Sequence, residues 1–205
     1  DALKKIAKKY NLKIICDSAQ SILAKYKGKY SGTLGDVGGY SLNYHKHINT
    51  GEGGVIVTNN KKFASKLFAI RNHAEAVATN SKKKLINMIG YNFRMGEIEA
   101  SIGIEQLKKV KKRVQLKRNI ANRLNKGLKN LPGIIIPKAR NASTHSYYIY
   151  PIILDLNILK TGRNKIFNAL KSEGVQGLID KYINLHLYPM YQKKIAYGSK
   201  HFPWS

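Results

Sequence analysis

One lysine, Lys46, stands between the strand-like run Tyr40-Ser41-Leu42-Asn43 and the glycine-rich turn Thr50-Gly51-Glu52-Gly53-Gly54. A second strand-like run, Val55-Ile56-Val57-Thr58, follows at once. A lysine at the end of a buried strand is placed for amine chemistry, because partial loss of solvent favours the neutral, nucleophilic amine. Upstream, the apolar run Lys13-Ile14-Ile15-Cys16 is closed by Asp17 and followed by Ser18-Ala19-Gln20. In open α/β sheets, ligands collect outside the carboxyl ends of the strands. Asp17 and Lys46 both stand at such ends, so an acid and an amine can face one cleft. Asp17 has a second reading as a turn or helix cap, since Asp-Ser is a common capping pair. The two roles can coexist.

The elements that must position these residues are legible from periodicity. Leu3, Ile6, Ala7 and Tyr10 recur at i, i+3, i+4 and i+7, which predicts an amphipathic helix. A turn at Asn11 and then a continuous apolar strand suit a parallel sheet covered on both faces. Residues 95 to 129 read as one long or kinked helix, with Ile98, Ile102, Leu107, Val110, Val114, Ile120, Leu124 and Leu128 near helical spacing. Leu131-Pro132-Gly133 should end it. The run from Tyr147 to Leu154 predicts a strand, with Pro151 marking an edge or bulge. Residues 163 to 172 read as a helix that turns Ile166, Phe167 and Leu170 inward, before Gly174. No internal repeat or low-complexity linker interrupts the chain.

The blocks Cys16-Asp17-Ser18-Ala19-Gln20 and Gly35-Asp36-Val37-Gly38-Gly39-Tyr40-Ser41-Leu42 precede Lys46 and Thr50-Gly51-Glu52-Gly53-Gly54. Gly90-Tyr91-Asn92-Phe93-Arg94-Met95, Glu97-Ile98, Ala100 and Gln106-Leu107 come later. In order and spacing this set resembles the nucleotide-sugar aminotransferases of the DegT–StrS group, fold-type I enzymes dependent on pyridoxal 5'-phosphate (PLP). The likeness runs over nearly the whole chain. It implies an α/β fold: residues 1–112 would be part of a large PLP-binding domain, a mostly parallel sheet with flanking helices. Residues 113–205 would form a smaller α+β C-terminal domain.

PLP is an electron sink held as a Schiff base to a lysine, with a carboxylate on its pyridine nitrogen. The resemblance assigns the Schiff base and the subsequent proton shuttle to Lys46, and the ring nitrogen to Asp17. Gln20 would lie against the ring near its phenolic oxygen, and Ser41 would donate to the phosphate. Asn92 is similar to the position that reaches the phosphate from the partner subunit, which implies a homodimer with its active site at the interface. Gly51, Gly53 and Gly54 fit a tight backbone path after the lysine. The implied reaction moves an amino group from glutamate to a nucleotide-linked keto-sugar, in cell-surface polysaccharide or amino-sugar biosynthesis. Tyr188, Tyr191 and Tyr197 are candidates to line the sugar site, with packing as the plainer role.

A branch of the family removes a sugar hydroxyl instead, and there a histidine replaces the lysine. His45 and His47 flank Lys46, so register decides. Aligning Ser41 and the Gly51-Glu52-Gly53-Gly54 block puts Lys46 at the key position without a gap, which favours the aminotransferase over the dehydratase. The two histidines then read as satisfied polar residues near the cleft. The family usually has a glycine after the histidine of Arg71-Asn72-His73-Ala74. It also supplies a Gly-Thr phosphate loop and a ring-stacking aromatic ahead of the position matched by Asp1, and a final helix beyond His201-Phe202-Pro203-Trp204-Ser205. The expectation is therefore an internal fragment.

Composition sets further limits. At 205 residues and 43% hydrophobic content, the chain can hold one large or two small cores. A single cysteine, Cys16, excludes a disulfide framework and points to a reducing cytoplasm. No run approaches the length of a membrane span. The net charge of +26 raises the question of nucleic acid, since clustered cations release counterions from phosphates. The cations are spread, however, in short runs such as Lys82-Lys83-Lys84 and Lys108-Lys109-Val110-Lys111-Lys112-Arg113. The second run is a solvated helix face, with Leu107, Val110 and Val114 keeping apolar spacing. No nucleic-acid fold motif is present, so nucleic acid is not an expected partner. The charge would instead attract a nucleotide-sugar diphosphate. A non-catalytic, basic, polyanion-binding fragment is the distant alternative.

Overall fold

The apolar run before Asp17 forms strand β1 (Ile15–Asp17), preceded by helix α1 (Ala2–Lys9). The computed structural model describes residues 1–75, 88–179 and 183–195. The run Lys82-Lys83-Lys84, Tyr197 and the terminal His201-Phe202-Pro203-Trp204-Ser205 lie outside the described residues. By internal contacts the chain divides into one unit of Asp1–Asn130 with Ile136–Ile153, and another of Leu131–Ile135 with Leu154–Ser205.

In the first unit, β1 pairs in parallel with β4 (Val37–Ser41), setting Asp17 beside Gly39. Strand β5 (Gly54–Val57) then joins β4 antiparallel, with Ser41 opposite Gly54. The fold is α/β as expected, but its described sheet is mixed. The reason lies in the connection. A parallel neighbour needs a long crossover, usually helical, whereas residues 42–53 fold back on themselves. The Leu42 N–H donates to the Gly53 carbonyl (2.8 Å), and the Thr50 N–H donates to the Leu42 carbonyl (2.9 Å). The Asp36 carboxylate accepts the Ile14 N–H at 2.8 Å and holds the entry to β1. Gly38 is required by close approach: a Cβ there would meet the Gly32 carbonyl oxygen at 2.0 Å.

A hairpin of β2 (Lys25–Tyr26) and β3 (Lys29–Tyr30) is extended by β7 (Ser143–Thr144), which pairs antiparallel with β2. Helix α2 (Lys61–Arg71) starts where the Asn60 side chain accepts the N–H groups of Lys62 and Phe63. After it, His73 and Ala74 take φ of 50° and 63°. The alanine that stands where the family usually has glycine thus occupies a left-handed conformation that glycine adopts without strain.

Helix α3 (Glu97–Leu128) matches the predicted long helix and is continuous through residue 112. The expected boundary between 112 and 113 falls inside it, and the two compact units divide elsewhere. Val110 and Val114 of α3 form the buried core with Leu42 and Ile48, flanked by half-buried Ile22 and Leu23. The rest of the apolar stripe is less covered: Ile98 is 74% exposed, and α1 buries only Ala7 while Leu3, Ile6 and Tyr10 are exposed. Periodicity identified the apolar faces, not what covers them.

The strand expected from Tyr147 to Leu154 is a correction. Only its last two residues form a strand, β8 (Ile153–Leu154), paired with β6 (Ile134–Ile135). Tyr147 has φ 48°, incompatible with a strand. Side chains of α3 take the place of ladder partners: Arg118 donates to the His145 carbonyl (2.9 Å) and Lys117 to the Tyr148 carbonyl (3.4 Å).

In the second unit, α4 (Leu156–Leu159) is capped by Asp155, and the Asp155 N–H donates to the Gly133 carbonyl at 2.8 Å. Helix α5 (Arg163–Ser172) lies where predicted, with Ile166 and Phe167 half-buried. Leu170, expected inward, is 39% exposed. A short helix α6 (Pro189–Gln192) carries Tyr191, and both Tyr188 and Tyr191 are exposed. Among the described residues, no helix is long and apolar enough to cross a membrane.

Candidate active site

The segment 42–50 that carries Lys46 is held at both ends by burial. Leu42, His47, Ile48 and Thr50 are all buried, whereas Lys46 between them is half-buried. Ile48 and Leu42 pack on Val110 and Val114, and an Arg113 guanidinium N–H donates to the His47 carbonyl (3.4 Å). Helix α3 therefore grips the lysine loop and, through Lys117 and Arg118, the 145–148 segment as well. Gly51, with φ 85°, and Gly53, with φ 155°, let the chain turn from the loop into β5.

The His47 imidazole meets the Ser146 carbonyl through Nε2 at 2.9 Å. A carbonyl only accepts, so Nε2 carries the proton and Nδ1 is the acceptor in the neutral ring. Ser146 is buried too, and its hydroxyl donates to the Gln20 carbonyl (3.3 Å). A polar chain thus runs from the residue after Lys46, through Ser146, to the turn after Asp17. Burial and the positive charges of Lys117 and Lys46 push the His47 pKa below its ordinary 6.5, despite its hydrogen bond to Ser146. Burial and Arg118 likewise lower that of His145.

A histidine with a depressed native pKa binds fewer protons than its unfolded counterpart just below pH 6.5. Its stabilising effect is present above that pH and is lost as pH falls through 6.5 toward the native value. Denaturant midpoints should therefore decline on acidification through this window, and a His47→Gln variant should show a shallower decline. At neutral pH, His47→Ala would orphan the Ser146 carbonyl and lower stability by about 1–3 kcal/mol. A midpoint unchanged from the parent would contradict the tie.

A cleft of about 560 Å³ is lined by Asp17, Gln20, Ser21, His145, Ser146 and Tyr148, among others. Two sequence-predicted residues, Asp17 and Gln20, are brought together here. Asp17 Oδ1 accepts the Ala19 N–H at 3.0 Å, so the turn-capping role and the cleft position coexist. Lys46 is not a lining residue, but its Nζ lies 4.4 Å from the ring centre of Tyr148, which is one. Ser41 is not a lining residue. It ends β4, and its Oγ accepts the Asn43 N–H at 3.2 Å, which leaves the hydroxyl proton free to donate.

Asn92 is exposed and lies apart from the cleft lining, bridged to Asn72. Its Oδ1 accepts from Arg94 Nε at 3.1 Å, and Arg94 also donates to Asn72 Oδ1 at 2.9 Å. The cleft wall of His145, Ser146 and Tyr148 was not singled out by sequence reasoning. The available signal was the density of ring and hydroxyl side chains in His145-Ser146-Tyr147-Tyr148, masked by the strand-like apolar residues that follow.

The model of the DegT/DnrJ/EryC1/StrS aminotransferase family matches residues 1–205. GDP-perosamine synthase of Escherichia coli O157:H7 is 32% identical over 95% of the chain and 51% of its own length. DesV of S. venezuelae, solved in complex with a ketimine intermediate, superposes with a TM-score of 0.80 at 25% identity, over 94% of this chain and 49% of that one. An E. coli GDP-4-keto-6-deoxy-D-mannose-3-dehydratase with bound hydrated PLP superposes with a TM-score of 0.74 at 26% identity, over 85% and 48%. The chain spans about half the length of the curated relatives it matches. With the family model matching from the first residue to the last, the chain belongs to the DegT/DnrJ/EryC1/StrS aminotransferase family.

Proposed function

We propose that this chain carries the lysine-bearing half of the site of a PLP-dependent aminotransferase, which moves an amino group, from glutamate, to a nucleotide-linked keto-sugar. The observation that carries the reading is the juxtaposition of Asp17 and Gln20 in one cleft with the Lys46 amine at the Tyr148 ring on its wall. The residues fit the cofactor. A strand-end carboxylate, a half-buried primary amine and a hydroxyl with a spare proton match its ring nitrogen, aldehyde and phosphate. The cleft volume lies in the range of small-molecule sites.

When bound, PLP supplies an electron sink for the electrons left as a substrate carbon loses its proton. Asp17 would hold the proton on the ring nitrogen, and its Oδ1, fixed by Ala19, would keep the carboxylate from turning away. Gln20 would flank the ring, its backbone tied to Ser146. Lys46 would bind the cofactor and, once displaced by an incoming amine, hold and return the substrate proton. Ser41 would donate its hydroxyl to the phosphate. Asn92, whose Oδ1 accepts from Arg94, would donate its amide N–H₂ to the phosphate in the partner subunit of a homodimer. A cytoplasmic setting is consistent with a free Cys16.

The similarity to a dehydratase supports a second reading, loss of a sugar hydroxyl. The discriminating experiment supplies the protein at its natural full length with PLP, glutamate and a GDP- or UDP-linked 4-keto-6-deoxysugar. Mass analysis should find the amino sugar and 2-oxoglutarate in equal amounts. A deoxygenated sugar would support the dehydratase. Steep salt-dependent polyanion binding with no PLP uptake would support the basic module instead.

A further inference from the structure

The geometry points to Tyr148 as a positioning residue for Lys46: its ring is the rest position that keeps the lysine ammonium at the wall of the cleft whenever the amine is not bound elsewhere. The inference rests on the proposed role of Lys46 and adds a residue to it. Tyr148 is the meeting point of the whole lysine loop. Lys46 Nζ stands 4.4 Å from its ring centre, and the His45 and His47 rings lie 5.9 and 6.1 Å from it. An ammonium within about 6 Å of an aromatic face is attracted by the negative charge over the ring.

The backbone that carries the ring is held on both sides. The Tyr148 carbonyl accepts from Lys117 of α3, and Ser146, two residues earlier, is bonded to both His47 and Gln20. Tyr148 and Asp17 line the same cleft. A long lysine side chain carries several rotatable bonds, and an unrestrained one would spend little time at the cleft. An ammonium seated on this ring remains beside a side chain that lines the cleft.

The attraction requires the ring and not the hydroxyl, which makes the inference testable by substitution. The unloaded full-length protein would be reductively methylated with ¹³C-formaldehyde, and the Lys46 resonance assigned by its loss in Lys46→Arg. That signal should lie upfield of the other lysines through the ring current, should stay there in Tyr148→Phe, and should return to the ordinary position in Tyr148→Leu. In turnover, Tyr148→Leu should lower kcat about threefold to tenfold, in line with the strength of such contacts. PLP affinity should stay within twofold, and Tyr148→Phe should match the parent on both measures. An unshifted Lys46 signal in the parent, or Phe and Leu variants that behave alike, would overturn the inference. A parent protein with the shifted signal but no lysine-linked uptake of PLP would overturn the aminotransferase reading and leave the contact itself standing.

Discussion

Replacing Lys46 by alanine in the full-length protein should abolish the absorbance band of lysine-linked PLP and lower transamination by about 10²–10⁴-fold, the usual worth of a positioned proton-transfer group. The fold should survive the change. The loop is anchored by Leu42, His47, Ile48 and Thr50, all buried, while Lys46 makes a contact with Tyr148 worth about 1 kcal/mol. Thermal unfolding within a few degrees of the parent would therefore accompany the loss of chemistry. Lys46→Arg separates two roles: it keeps a cation for the Tyr148 ring but lacks a nucleophilic primary amine, because a guanidinium stays protonated. It should be as inactive as the alanine variant. Full activity in either variant would sink the assignment.

The second large effect is expected at Asp17. Asparagine keeps the Oδ1 acceptor, so the turn closed by the Ala19 N–H at 3.0 Å should persist. What it removes is the negative charge. A hydrogen bond to a charged partner is worth about 1.5–3 kcal/mol, so Asp17→Asn should cost roughly 10- to 150-fold in kcat/KM, with weaker PLP binding by titration. Asp17→Ala should do the same and in addition lower stability through loss of the turn. If Asp17→Asn retained parental turnover, Asp17 would be a turn residue alone.

These expectations depend on how the chain sets Asp17 in the cleft and Lys46 against Tyr148 of its wall. Both were visible in sequence as residues at strand ends, and β1 and β4 do pair in parallel with Asp17 beside Gly39. Ser41 was singled out only by the family resemblance; its place at the end of β4 and its spare proton became evident from the structure. The antiparallel course of β5 was not readable, because short apolar runs carry no direction; direction comes from the connection. The run from Tyr147 to Leu154 was misread as a strand over most of its length for a related reason. Aromatic and β-branched residues suit a strand, but here Tyr147 takes a φ of 48° and the Tyr148 carbonyl accepts from the Lys117 side chain instead of a ladder partner.

The apolar faces of α1 and α3 show another limit of sequence. A helical repeat fixes which side of a helix is apolar, since the period of 3.6 residues is local. Whether Ile98 or Leu3 is covered depends on surfaces far away in sequence, and both are exposed in this chain.

By itself the sequence determined the α/β class, the long α3 helix and the set of residues with the means to do amine chemistry. It did so because periodicity, glycine at tight turns and the chemistry of Lys46 and Asp17 are local properties. Only the tertiary structure decided that Lys46 meets the Tyr148 ring, that His47 ties its loop to Ser146, and that α3 clamps both sides. The first two contacts join residues about 100 positions apart and the α3 contacts residues 27 to 66 apart, and their pairing depends on packing geometry that no local pattern encodes.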